Sequence, residues 1–420
     1  LDKVIFAALV GLVVLTSIPY GTFDPWWKAA FICGVFGVFI LAIVEMAISG
    51  SGFVGPRSIL LPLLALAAFA FLQTINLNFG GSGPWSAISA DPYQTRFFTI
   101  QILALTACLA MFYRYAGTEG RMRVLIHVVI GIAVASALFG ILRQATQTAE
   151  TWFVLPVLQR NQGYGQFINK NHFAYLMEMA FGLGLGLILA HGVRRDRLMI
   201  YVALLFPIWI ALVLSNSRGG ILAMLAQIVL CAFLLLRRQT SRLVVIVVLV
   251  AGVLIGALWV GGDRLASNIE SAGTDFAGDT TRDGASRNEI WRATLKMFAA
   301  HPLAGVGFGG YWIAVTAYHD ASGNMTPQEA HNEYLEVLSS GGLIGFAIAV
   351  WFAVMVIRRI PMNVITNDAV RFGAVVGIAG VVVHSLVDFG LHLMSNALVF
   401  VVLIMLATAA PARFVRKKIV

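Results

Sequence analysis

His331 stands in the stretch Ala330 to Gly345, AHNEYLEVLSSGGLIG, where ionisable and hydrogen-bonding side chains run without a break into an apolar segment. An imidazole at the mouth of a bilayer-spanning helix must be solvated, paired or working, because burying it unsatisfied in hydrocarbon is costly. Working, it could take a proton as a general base. Two arginines could supply a matching charge. Arg218 follows Ser215, Asn216 and Ser217 in a short turn between apolar runs, and Arg287 opens an amphipathic segment after a long polar one. A guanidinium fork matches phosphate oxygens bidentately, and helix N-terminal amides favour an anion as well. Two arginines and a histidine together suggest a phosphate-bearing leaving group and a base. Arg218 also has a plainer reading, a side chain snorkelling at a span end.

The elements that must position these groups are partly written in the sequence. Thr326 as cap, Pro327 at the first helical position and Glu329 as the capping-box carboxylate predict a helix with His331 in its second turn. Ser286-Arg287-Asn288-Glu289 is a second capping box, opening a helix that runs to Pro302 and whose apolar face could rest on a membrane surface. Gly305 to Gly310, GVGFGG, reads as a turn and not as a nucleotide-binding loop, because no strand precedes it. His384, Asp388 and His392 recur every four residues, which predicts one helical face. Such a stripe could hold a divalent metal, but polar residues inside membranes more often pair across helices.

A chain of 420 residues that is 59% hydrophobic and 12% charged, with a mean hydropathy of +0.85, is not an ordinary soluble protein. It reads as an all-α integral membrane protein of about twelve transmembrane helices, one membrane domain overall. Residues 1–262 carry spans one to nine, 263–330 form one large external loop with amphipathic helices, and 331–420 carry spans ten to twelve. The first apolar run, Val4 to Tyr20, lacks a clear small-residue cleavage site and is expected to stay as a span. Trp152, Phe153 and Tyr164 look like interfacial anchors.

Alternate crossing puts 18 of the 29 basic residues on one face, which the positive-inside rule makes the cytoplasm, together with both termini. Arg218, the long loop and His331 then open on the opposite side. That orientation also accounts for the net charge of +9, so nucleic acid is not needed as a partner. Cys33, Cys108 and Cys231 lie inside expected spans with neither disulfide nor zinc spacing.

Five segments stand in one order: GYGQFINKNHFAYLMEM (Gly163 to Met179), LVLSNSRGGILAML (Leu212 to Leu225), SRNEIWRATLKMFAAHPLAGVGFGGYW (Ser286 to Trp312), AHNEYLEVLSSGGLIGF (Ala330 to Phe346) and HSLVDFGLHLMSNAL (His384 to Leu398). In this the chain resembles the O-antigen ligase and Wzy-type polymerase superfamily of bacterial membrane glycosyltransferases, with a GT-C-like fold. The resemblance implies transfer of a glycan from undecaprenyl diphosphate to an acceptor hydroxyl, on a second lipid-linked glycan or lipid A-core. It places this at the periplasmic face of the inner membrane, with inversion and without metal or other cofactor.

By the same resemblance, Arg218 and Arg287 hold the diphosphate and His331 is the base. Ser217, Trp291, Asn332, Tyr334, Glu336, His384 and Asp388 are expected to line or support the substrate site. Asn169, Lys170, Asn171 and His172 either contact the substrate or make a solvated helix start capped by Asn171. Family members often carry a glutamate where this chain has Ser340, so Glu336 or Glu333 would have to orient the base instead. Two other activities compete: a flippase or transporter of lipid-linked glycan, which the lack of internal symmetry disfavours, and a protein O-oligosaccharyltransferase.

Overall fold

The computed structural model describes residues 1–53, 55–76, 87–147, 163–190, 192–235, 287–319, 326–362 and 365–409. Among them the regular elements are helices: α1 (Asp2–Ser17), the short turn α2 (Pro19–Thr22), α3 (Pro25–Ser49), α4 (Arg57–Gln73), α5 (Pro92–Tyr115), α6 (Glu119–Thr146), α7 (Lys170–Leu189), α8 (Leu198–Leu214) and α9 (Arg218–Leu235). They continue with α10 (Arg287–Ala300), α11 (Tyr311–Ala314), α12 (Glu333–Arg359), α13 (Ala369–His384) and α14 (Met394–Thr408).

Among the described residues, seven helices are long and apolar enough to cross a membrane: α3, α5, α6, α7, α8 with the turn before it, α9 and α12. The apolar helices α4, α13 and α14 are shorter. The fold is therefore an all-α membrane architecture, and seven long helices stand against the twelve spans expected. The ninth expected span and the first part of the long loop lie outside the described residues, as do Trp152, Phe153 and the Ser286 cap.

The helices are apolar all round, as lipid-embedded helices are. On α9, Ala223, Met224, Ile228 and Cys231 face the protein, whereas Val229 and Phe233 stay exposed. At the bundle's centre α7 is buried along nearly its whole length. It lies against α13 through two small-residue pairs spaced four apart, Gly182 and Gly186 on one helix, Gly373 and Gly377 on the other. A Cβ on Gly182 would come within 2.6 Å of the Gly377 backbone nitrogen, so only glycine allows this approach. Gln227 of α9 locks the pair by donating to the carbonyls of Glu178 (2.9 Å) and Val376 (3.2 Å). These contacts fix α7, α9 and α13 relative to one another along their middles, and so hold the end where α7 and α9 begin.

Basic side chains gather at the other end of the bundle. Arg114 bonds Glu45 at 2.8 Å, Arg121 pairs with Asp2, and Arg371 pairs with Asp368 at 3.0 Å. Tyr164, expected as an interfacial anchor, is instead buried against Phe173, with ring centroids 4.7 Å apart.

Gly342 interrupts α12 with φ 61° and ψ −164°, a conformation reserved for glycine. The GVGFGG turn docks into the break. Val306 N–H donates to Ser339 O (3.1 Å) and Gly307 N–H to Ser340 O (2.9 Å), while Leu343 N–H donates back to Pro302 O (2.8 Å). Gln73 of α4 seals the joint, donating to Ala304 O (2.6 Å) and Ser340 O (2.9 Å) and accepting from Phe308 N–H (3.3 Å). So the glycine-rich segment is a turn, as expected, and its task is to satisfy backbone groups that the break leaves open.

Candidate functional site

Four helices begin around the carboxylate of Asp388, which is fully buried. The loop that carries it, between α13 and α14, is held beneath their first turns. Asn169 caps α7 by accepting from Asn171 N–H at 2.8 Å. The sequence reading gave that task to Asn171. Its side chain is spent elsewhere: the Asn171 amide donates to Asp388 Oδ2, and its oxygen accepts from Ser217 Oγ at 2.9 Å. Ser217 in turn accepts from Gly220 N–H at 3.2 Å, capping α9 just before Arg218. Arg287 of α10 has a guanidinium nitrogen 3.9 Å from Asp388 Oδ2. His331 Nδ1 lies 4.0 Å from Asp388 Oδ1.

The helix after His331 starts later than expected. Asn332 is the cap, accepting from Tyr334 N–H (3.0 Å) and Leu335 N–H (3.1 Å), and α12 begins at Glu333. Thr326, Pro327 and Glu329 form no capping box, because Glu329 reaches toward His392 (3.3 Å) and Ala330 N–H donates to Glu336 Oε2 (2.6 Å). His331 therefore stands before the helix, with a left-handed φ of 50°. Asn216, two residues before Arg218, is left-handed as well, at φ 54°. A non-glycine residue held there costs on the order of 1–3 kcal/mol, a strain that concentrates at functional sites. Trp291 Nε1 donates to Ala330 O at 3.0 Å and Asn332 Nδ2 to Leu386 O at 2.8 Å, so both neighbours of His331 are pinned.

Burial holds the His331 pKa below its ordinary value, and the Arg287 charge adds to this, against the opposing pull of Asp388 and Glu329. At neutral pH the ring is uncharged, the form that accepts a proton. Its Nδ1 is buried without a hydrogen-bond partner, facing Asp388. Phe389 packs edge-on to three imidazoles, those of His331 (4.8 Å between centroids), His172 (5.0 Å) and His392 (5.7 Å).

The charges of Arg218 and Arg287 both reach Lys170. Lys170 and Arg218 are the first residues of α7 and α9. Helix N-termini carry partial positive charge and unpaired N–H groups, so the starts of α7 and α9 favour an anion in both side chains and backbone.

The stripe expected at His384, Asp388 and His392 is not a stripe. α13 ends at His384, the chain turns, and the three residues go to different partners. His384 Nδ1 pairs with Glu178 Oε2 at 2.9 Å, both fully buried, with the Tyr175 ring stacked on the imidazole at 4.1 Å. His392 bridges Glu329 (3.3 Å) and Glu333 (3.4 Å). Burial alone would depress the His392 pKa, but the two carboxylates hold it well above the ordinary value. The ligand atoms of Glu329, Glu336 and His392 lie within 4.8 Å of one another, the grouping with metal-site spacing among the described residues. Their charges are already matched by each other.

The carboxylate nearest His331 is thus Asp388, not the expected Glu333 or Glu336. Glu333 bonds His392 and accepts from Leu391 N–H at 3.0 Å. Ser340 sits at the α12 break, buried among the glycine turn, away from the imidazole. Of the other residues expected at the site, Tyr334 donates outward to Val382 O at 2.8 Å and His384 is sealed beneath the floor. Lys28, in the first turn of α3, was missed; its charge reaches Glu329. A basic residue on the face that positive-inside counting leaves poor in them is the signal that could have found it.

Residues 200–350 match the family described as O-antigen ligase, which supports the resemblance drawn from the five segments. The match contains Arg218, Arg287 and His331 and ends before Asp388. No curated protein matches the chain.

Proposed function

We propose that this chain, whose O-antigen ligase match points to ligase- or polymerase-type chemistry, is a membrane glycosyltransferase. It takes a glycan from undecaprenyl diphosphate and joins it to an acceptor hydroxyl at the periplasmic face of the bacterial inner membrane. The observation that carries this reading is that Arg287 and a neutral histidine meet at Asp388, while the charges of Arg218 and Arg287 both reach Lys170. Lys170, Arg218 and Arg287 offer positive charge to the two ionised phosphates of a glycosyl lipid diphosphate.

The chain's residues then divide the work. The cations bind the diphosphate and stabilise the charge that grows on it as the anomeric carbon–oxygen bond breaks. Guanidinium and ammonium groups supply the positive charge here, and the scheme uses no cofactor. His331 takes the proton of the acceptor hydroxyl while that oxygen attacks the anomeric carbon from the face opposite the leaving group, giving inversion. Asp388 orients the imidazole and stabilises it once protonated, as a carboxylate does for other catalytic histidines. The lipid diphosphate leaves with the bonding electron pair, and the imidazolium returns its proton to solvent.

The test is transfer by the purified protein in liposomes containing an undecaprenyl-diphosphate glycan, offered both a second lipid-linked glycan and lipid A-core. Product on the first acceptor defines a polymerase, and on the second a ligase. Movement of the lipid across the bilayer with no glycan transferred to either would reject the enzyme in favour of a flippase.

A further inference from the structure

We infer that a cavity lined by residues close in the chain to the base is a subsite for pyranose rings of the glycan; this rests on the reading above. The cavity has a volume of about 550 Å³ and is lined by Trp312, Ile313, Thr316, Thr326 and Gln328, a size typical of small-molecule sites. Its position follows from the chain. Gln328 is three residues from His331, so their Cα atoms are at most roughly 10 Å apart, a separation that rings of one glycan can bridge.

The lining has the chemistry of sugar recognition. A pyranose presents an apolar C–H face and a rim of hydroxyls. Trp312 supplies an aromatic face, 45% exposed, and Thr316, Thr326 and Gln328 supply hydroxyl and amide groups for the rim.

The platform is also rigid. Tyr311, Ala314 and Val315 beneath it are buried, and the Tyr311 hydroxyl shares a 2.7 Å hydrogen bond with Thr294 of α10. Trp312, Ile313 and Thr316 are the opposite face of that anchored turn. A stacking ring held in place before binding loses little entropy when a ligand arrives. The Trp291 bond to Ala330 ties α10 to the loop of the base, so the subsite and His331 are fixed to one support.

The probe is the oligosaccharide released by mild acid from the host's lipid-linked glycan, which carries no diphosphate, titrated calorimetrically into the purified full-length protein. Trp312→Ala should weaken binding about tenfold, Gln328→Ala less, and Trp312→Phe should restore most of it, while His331→Ala leaves it unchanged. In transfer assays with glycans of increasing length, Trp312→Ala should raise the KM of the longer substrates with kcat kept. Whether donor or acceptor KM moves identifies which glycan occupies the cavity.

Wild-type binding and wild-type KM in Trp312→Ala, with only membrane insertion altered, would make the tryptophan an interfacial anchor and overturn the subsite. Because binding of the free glycan does not depend on turnover, full transfer by His331→Ala would sink the catalytic reading and leave this result standing.

Discussion

His331 and Asp388 face each other across 4.0 Å, imidazole Nδ1 toward carboxylate oxygen, and neither residue lies within a regular helix. The separation is longer than a hydrogen bond, and catalytic hydrogen bonds are often long before substrate is bound. Both partners are fixed by others. Asp388 is held by Asn171 and by its neighbour Phe389 N–H at 2.8 Å, and His331 by the bonds on either side of it in the chain.

Replacing His331 with alanine removes the proposed base, and the rate of glycan transfer should fall by roughly 10²–10⁴ or more. The variant should elute and melt as the parent does, since the ring is partly exposed and its Nδ1 makes no hydrogen bond. Unchanged kcat would remove His331 from the reaction.

The pH profile should move in opposite directions for its two charged neighbours. The base must be neutral, so kcat/KM falls as pH drops through the His331 pKa, which burial holds below the ordinary value near 6.5. Asp388 raises that pKa, so Asp388→Asn should shift the acid limb to still lower pH. Arg287 lowers it, so Arg287→Ala should shift the limb upward. Kinetics from pH 4.5 to 8 would show a shared direction if the electrostatic reading is wrong.

Arg287→Ala, Arg218→Ala and Lys170→Ala should each weaken donor use. Loss of a hydrogen bond to a charged group corresponds to about 1.5–3 kcal/mol, on the order of 10- to 150-fold in kcat/KM. Arg287→Lys should recover only part of the loss, because an ammonium keeps the charge but not the fork. The three effects should shrink as salt is raised, and salt-independent values would argue against an anion site.

Gly342→Ala should destabilise the protein by about 1–3 kcal/mol, since alanine cannot hold φ 61° with ψ −164° without strain and its Cβ would strike the Leu303 carbonyl. The measurement is the melting temperature in detergent. A variant as stable as the parent would mean that α12 can straighten and that the GVGFGG turn does not depend on the break.

Stability should fall away at both ends of the pH scale through the Glu329–His392 pair. The folded-state pKa of His392 is raised, so its contribution is complete below the unfolded value and is lost as pH climbs through the folded one. Burial would raise the Glu329 pKa, but the His392 charge beside it lowers it overall. Its contribution is present above the unfolded value and goes as pH drops through the folded one. Glu329→Gln should flatten both limbs. Identical melting curves for the variant and parent from pH 2 to pH 10 would show that the pair is not coupled to folding.

Composition and run length fixed the membrane class and the helical fold, because hydrocarbon leaves a chain few ways to satisfy its backbone. Residue type named the chemistry in the same way: an imidazole and two guanidiniums outside the expected spans suggested base and phosphate before any geometry was known. What lay beyond reach was who faces whom. A capping box at Thr326–Glu329 was locally sound, yet Glu329 went to His392, 63 positions away, and Asn332 took the cap. The four-residue spacing of His384, Asp388 and His392 was true of the sequence and false of the backbone, which leaves the helix at His384. Local patterns encode what a segment prefers alone, whereas a buried charge is settled by partners from other helices. Only the packing of α7, α9, α10 and α12 around one loop could bring Arg287 and His331 to the same carboxylate and tie Asn171 and Ser217 to it.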